Sequence, residues 1–308
     1  MSHRTFKQVC IYSTVPDTIG TNTNINSFTI WRGNIFMNDE RRRKQLADFL
    51  RSRRLRLSPR EAGLAVETSR RRTTGLRREE VASLSGISLP WYTALEQGRD
   101  IHVSEQVLES LVRTLRLSSD ERHHLLVLAN HSSLPQPKAD DSVPSSLQQI
   151  LDRMGTYPAY IIDKRWNVLA WNQISGKLCK DISREPELGK NMLWRVFAVE
   201  ESKSRIVNWE HVASAMVAHF RSRFALYMND SWYQELVDKL CDRSEEFRTL
   251  WERHDVSGTL EGEQIIRLPE AGLLTFRYHT FTISESSAFA MRVFTPLENS
   301  GTDERLEE

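Results

Sequence analysis

Between residues 76 and 99 the apolar positions Val81, Ala82, Leu84, Ile87, Tyr92 and Leu95 follow a helical spacing that breaks at Ser85-Gly86 and then resumes. A period interrupted in this way predicts two short helices meeting at a tight turn, a helix-turn-helix. Local chemistry agrees. Ala82 is small enough for close crossing, and Gly86 supplies the positive φ that the turn demands. Ser88 is placed to accept from the free amides that open the second helix, Pro90 fits a first turn whose N–H groups lack partners, and Gly98 stops the helix. The bland alternative for the same pattern is an αα-hairpin in an ordinary helical domain.

The flanking chain continues the helical grammar. From Asp39 the stripe Leu46, Phe49, Leu50 and Leu55 predicts a helix with arginines on its other face. After Gly98, Ser104 caps a helix striped by Val107, Leu108, Leu111, Val112 and Leu115, and Ser118 to Glu121 forms a capping box ahead of Leu125, Leu126, Leu128 and Ala129. Five short helices over 37–130 make an all-α domain. Residues 1–36 show no helical period, and the expectation is a mobile leader, or a start codon taken upstream of Met37. Residues 131–145, with three prolines and four serines, predict a linker.

Beyond the linker the period changes. A helix over 146–154 precedes two strands, 159–163 and 166–171, split by the polar pair Lys164-Arg165, which predicts a hairpin. Residues 173–179 turn helical, and a long helical region covers 209–251. Three more strands follow at 264–268, 273–279 and 288–295, with residues 299–308 left as a tail. The sum is an α+β domain, sensor-like, with a five-stranded antiparallel sheet over 146–298.

Charge sharpens this division. The 308-residue chain has a formal net charge of +1, yet residues 41–78 hold fourteen Lys or Arg against three Asp or Glu, a local balance of +11 that leaves −10 elsewhere. One basic segment in an otherwise acidic chain suits a domain that meets a polyanion. A charge run is usually a solvated face, but beside a helix-turn-helix it points to phosphate contact. The three cysteines, Cys10, Cys179 and Cys241, are scattered and odd in number, a reducing-compartment pattern with neither a disulfide framework nor zinc spacing. No apolar run reaches the roughly 20 residues of a membrane span, and no secretory signal is present.

The segment 63–98, with Gly75-Leu-Arg-Arg-Glu-Glu-Val-Ala82 and Trp91-Tyr-Thr-Ala-Leu-Glu-Gln-Gly-Arg99, resembles the XRE-type helix-turn-helix regulators that carry an MmyB-like ligand-binding domain. The resemblance resumes at Tyr160-Ile-Ile-Asp-Lys-Arg-Trp-Asn-Val-Leu-Ala-Trp-Asn172 and at Phe247-Arg-Thr-Leu-Trp-Glu-Arg-His-Asp-Val256, and spans 41–296. It implies an all-α λ-repressor-like DNA-binding domain followed by an α+β PAS-like domain with an antiparallel sheet, the second holding a small apolar or fatty-acid-like ligand. One departure stands out: Ala94 occupies a recognition-helix position where the family usually has arginine.

For DNA, the start of the second motif helix enters the major groove, so Ser88, Leu89, Pro90, Thr93 and Gln97 are candidates for base edges. Arg70, Arg71, Arg72, Arg77 and Arg78 set register on phosphates. Trp91 and Tyr92 are assigned to the core, and Glu96 is expected to pair with an arginine of the first helix rather than face phosphates. For the ligand, strand alternation groups Tyr160 with Ile162, Leu169 with Trp171, and Leu274 with Phe276 and Tyr278, while Met216, Phe220 and Phe224 close the cavity from a helix. Each of these also fits plain core.

The chain has no nucleophile elbow and no glycine-rich phosphate loop, and His211 and His219 stand two turns apart, too far for an i, i+4 metal pair. His254-Asp255 fits a helix end better than a catalytic pair, and the adjacent His123 and His124 fit surface or packing roles. The expectation is a cytoplasmic bacterial regulator, not an enzyme, without metal or cofactor and away from the membrane, that meets double-stranded DNA as a homodimer. The alternatives are a DNA-tethered enzyme acting on a small molecule and a regulator whose second domain binds a protein.

Overall fold

The structure is a computed structural model that describes residues 26–64, 73–129, 143–178, 187–228, 230–283 and 289–307, with side chains between 39 and 306. The described residues from Asn38 onward form one compact unit, which holds both regions that the sequence predicts. Helix α1 (Asn26–Arg56) begins well before Asp39, so residues 26–36 are helical although their pattern showed no period. Next come α2 (Arg78–Ser85), α3 (Leu89–Glu96), α4 (Glu105–Thr114) and α5 (Ser119–Ala129).

The predicted caps form. Gly86 ends α2 at φ 71°, and the Ser88 hydroxyl accepts from the Trp91 amide at 3.4 Å to open α3. Ser118 and Glu121 exchange the two bonds of a capping box, 2.9 and 3.2 Å. Leu50, Leu76, Val81, Tyr92, Leu108, Leu111 and Leu125 are fully buried where these helices meet. Gly75 is required by a close approach rather than a turn: a Cβ there would sit 2.2 Å from the Leu55 carbonyl oxygen.

The second region opens with α6 (Ser145–Asp152), then β1 (Ala159–Ile162), β2 (Val168–Trp171) and α7 (Gln173–Leu178). A 3-10 turn (Glu187–Lys190) leads into α8 (Met192–Ala198) and α9 (Glu200–Arg205), two helices that the sequence pattern did not announce. The predicted long helical stretch is three helices, α10 (Trp209–Leu226), α11 (Ser231–Arg243) and α12 (Glu245–Glu252). They are separated by Asp230 and Ser244, whose side chains accept from the Trp232 and Phe247 amides and so start new helices. Strands β3 (Gly262–Leu268), β4 (Gly272–Thr282) and β5 (Ala290–Pro296) follow, and the supposed tail contains α13 (Thr302–Glu307).

All five strands pair antiparallel in the order β2-β1-β5-β4-β3. The hairpin between β1 and β2 is set by Asp163, whose carboxylate accepts from both the backbone and the side chain of Asn167 at 2.8 and 2.9 Å, and by Trp166 at φ 68°. Asn191 accepts from the first amides of α8 and donates to the Arg165 carbonyl at 2.6 Å, tying that hairpin to the helical layer. One face of the sheet packs under α6 through Ala159, Ile161, Ala170, Met291 and Val293. The other carries Tyr160, Ile162, Val168, Leu274, Phe276, Tyr278 and Phe294 into a core that is continuous through α8, α10, α11 and α12 to the helices of the first region.

Candidate nucleic-acid interface and ligand-binding domain

The two faces of α3 differ sharply. Tyr92, Leu95 and Glu96 are buried, whereas Ser88, Leu89, Pro90 and Gln97 are exposed and Thr93 is half-buried. Pro90, Thr93 and Gln97 stand at i, i+3 and i+7, one stripe of a helix, with Ala94 in the same stripe. Trp91 packs at the edge of the core and Tyr92 lies wholly inside it. The predicted base-reading side chains are thus brought to one accessible surface. Of the predicted phosphate contacts, Arg70, Arg71 and Arg72 lie outside the described residues; Arg77 and Arg78 are half-buried beside the start of α2.

Behind α3 is a charge cluster. The Glu96 side chain is fully buried and accepts from Arg54 at 3.1 Å, Arg78 at 2.6 Å and the Tyr92 hydroxyl at 2.9 Å. Burial alone would raise the Glu96 carboxyl, but the hydrogen bonds from Arg54 and Arg78 outweigh it and hold the group below its ordinary range. The expected pairing of Glu96 with an arginine therefore holds for two at once. The arginine run over 51–56 is not all an outward face: Arg53 and Arg54 are 2% and 6% exposed, directed inward by Glu121 and Glu96.

In the second region the predicted ligand residues separate. Tyr160, Ile162, Leu274, Phe276 and Tyr278 lie on the inner face and Met216, Phe220 and Phe224 of α10 belong to the same core, with Trp171 packed at its margin. Leu169 does not. A bulge between Ile161 and Ile162 pairs Ile161 with Ala170 and Ile162 with Val168, which sends Leu169 to the α6 side and parts it from Trp171. His219 and Phe220 pack on Trp166, ring centroids 5.7 and 5.5 Å away. Burial, with Arg223 and Arg292 nearby, pushes the His219 imidazole down to about 4.

Two features escaped the sequence pattern. Arg292 lies on the inner face at 3% exposure and donates to the Tyr160 hydroxyl at 3.2 Å. Its signal was a lone cation inside the apolar strand Ala290–Pro296. The second is a junction. Arg221, 1% exposed, follows Phe220 on α10, donates to Gln45 of α1 at 3.3 Å, to the Trp251 carbonyl of α12, and lies 3.2 Å from the His254 ring. Arg53 of α1 reaches the same turn, donating to the His254 carbonyl and to Asp255 at 3.4 Å. His254 and Asp255 follow the end of α12, the helix end that their sequence setting suggested, and they also join the two regions, which it did not. His124 is buried edge-on to Phe49, whereas His123 is exposed. Among the described residues no group of His, Cys, Asp or Glu could hold a metal, and no helix is long and apolar enough to cross a membrane.

A capped, exposed helix on a λ-repressor-like bundle, joined to a PAS-like sheet with helices on both faces, defines a DNA-binding transcription regulator with a ligand-binding domain. A helix-turn-helix domain family matches residues 45–125, and the MmyB-like transcription regulator ligand binding domain matches 143–308. The second match covers more than half of the chain, which belongs to that MmyB-like family as an XRE-type regulator. No match is found among curated proteins.

Proposed function

We propose that the second domain binds a small apolar or fatty-acid-like ligand between the inner sheet face and α10, and that occupancy changes how tightly the helix-turn-helix holds its operator. In this reading the protein works as a cytoplasmic homodimer, because one recognition helix reads only a few base pairs, and its second domain carries out no chemistry. Ser88, Leu89, Pro90, Thr93 and Gln97 meet base edges, and Arg70, Arg71, Arg72, Arg77 and Arg78 meet phosphates. The observation that supports the reading is the double role of α10. Met216, Phe220 and Phe224 belong to the core that the inner sheet face shares, with Phe220 against Trp166 of the β1–β2 hairpin, while the neighbouring Arg221 engages α1 and the end of α12. A ligand that favours one placement of α10 therefore acts on α1, whose Arg54 fixes Glu96 and with it α3.

The test selects genomic duplex fragments on the full-length protein and measures their affinity by fluorescence anisotropy with and without decanoate. The expected outcome is attachment at modest ionic strength that weakens steeply with salt, and a shift of about 5- to 150-fold on adding decanoate. Absence of attachment to any duplex removes the operator reading. An affinity that decanoate leaves unchanged, although calorimetry shows it bound, removes the linkage. Decanoate recovered chemically altered would favour the enzyme alternative.

A further inference from the structure

We infer that Arg292 is the anchor for a carboxylate on the ligand, so that this domain selects amphiphilic acids over neutral apolar molecules of the same length. The inference rests on the proposed apolar-ligand reading and names the polar end of that ligand.

Alternation along β5 sends Met291 and Val293 to the α6 side and Phe294 to the inner face. Arg292 pairs across the sheet with Tyr160 on one side and Thr280 on the other. It too is directed inward, reaching the Tyr160 hydroxyl at 3.2 Å and Thr280 Oγ1 at 3.4 Å. The guanidinium carbon lies 5.3 Å from the centre of the Tyr278 ring and 5.8 Å from that of Tyr160. All of these partners are neutral. Among the described residues no carboxylate pairs with Arg292, and its Nη2 has no hydrogen-bond partner.

Two other polar atoms nearby are equally unsatisfied, the Tyr278 hydroxyl and His219 Nδ1. Tyr278 is 1% exposed, so water does not serve it freely. A guanidinium cannot shed its proton, and a buried cation without a counter-ion is a costly arrangement unless something supplies the negative charge. The planar fork matches a carboxylate, with the free Nη2 as one donor and the Tyr278 hydroxyl as another. The other cation near His219 is Arg223, which is half-exposed and set over the Tyr227 ring at 6.0 Å. His219 itself is neutral at ordinary pH. One buried positive charge calls for one negative charge, which favours a carboxylate over a doubly charged phosphate ester. Phe294, packed against the rings of Tyr160 and Tyr278 at 5.8 and 5.7 Å, then supplies apolar surroundings for the tail.

The experiment titrates delipidated full-length protein with decanoate and with 1-decanol by calorimetry, for the natural chain, Arg292→Met and Arg292→Lys. The natural chain is expected to prefer decanoate by about 10- to 100-fold, the range for hydrogen bonds to a charged group. Arg292→Met should erase that preference by weakening decanoate alone, and Arg292→Lys, which keeps the charge but loses the fork, should retain only part of it. Equal affinities in the natural chain, or a preference that a folded Arg292→Met keeps, overturns the inference while leaving the apolar-ligand reading standing. If neither probe binds the natural chain, the apolar-ligand reading has failed and the anchor falls with it. Should Arg292→Met not fold, Arg292→Lys decides: a loss for decanoate but not for decanol supports the anchor, and no loss overturns it.

Discussion

Glu96 shows how a single side chain fixes the reading head. Its carboxylate joins Arg54 of α1, Arg78 of α2 and Tyr92 of α3, so truncation leaves a buried cation unpaired. Glu96→Ala is expected to cost about 3–5 kcal/mol in urea unfolding, the range for breaking a buried pair from one side. The group's folded pKa lies below that of a free glutamate, so its contribution is complete above the free value and is lost as pH falls through the folded one. Glu96→Gln should flatten that part of the acid limb. That Glu96 seeks an arginine was legible, since a carboxylate beside DNA is repelled. That Arg54 is one partner was not, because the two are 42 residues apart and only packing brings them together.

At the scale of the element, α3 divides reading from support. Gln97 is exposed at its end and hydrogen-bonding in character, so on the proposed base-reading role Gln97→Ala is expected to change the ranking of operator variants, by about 1–3 kcal/mol at one base position. Competition binding against single-base operator changes checks this, and an equal loss on specific and random duplex counts against it. Arg71→Ala should instead weaken all duplexes alike and reduce the salt slope by about one. The strands give the opposite lesson about legibility. Alternation grouped Tyr160 with Ile162 and Leu274 with Phe276 and Tyr278, groups that the sheet then brings to one inner face, but it failed at Leu169, since a bulge adds a residue that no period announces.

Across the whole molecule, Arg221 is the shared part of the two regions. Arg221→Met removes its bonds to Gln45 and to the Trp251 carbonyl while keeping an unbranched side chain of similar reach. Decanoate affinity should stay within about twofold, while its effect on DNA affinity shrinks toward none, since coupling energy needs a shared two-state element. Calorimetry and anisotropy on the same preparation separate the two quantities; an undiminished effect excludes Arg221 as the link. The junction is also acid-sensitive. Burial, together with Arg221 and Arg53, pushes His254 down to about 3 and holds His124 well below its ordinary value. These imidazoles are neutral in the fold but titrate near 6.5 when unfolded, so their contribution is full above about 6.5 and falls as pH drops below it, for His254 down to about 3. Urea midpoints between pH 7.5 and 5 should decline, by at most about 1.4 kcal/mol per pH unit for each histidine. His254→Asn should reduce the slope.

The sequence by itself determined what is local. The broken helical period with its Gly86 turn and Ser88 cap, the capping box at Ser118 and the alternation of the strands each depend on residues within a few positions of one another, and near-neighbour chemistry is written in order along the chain. Tertiary structure alone decided which distant polar groups meet: Arg54 with Glu96, Arg221 with Gln45 and Arg292 with Tyr160 join residues far apart in sequence. A basic side chain is equally at home in water, so only the packing around it says whether it is turned outward to phosphates or sealed inside, where burial makes its pairing a matter of stability.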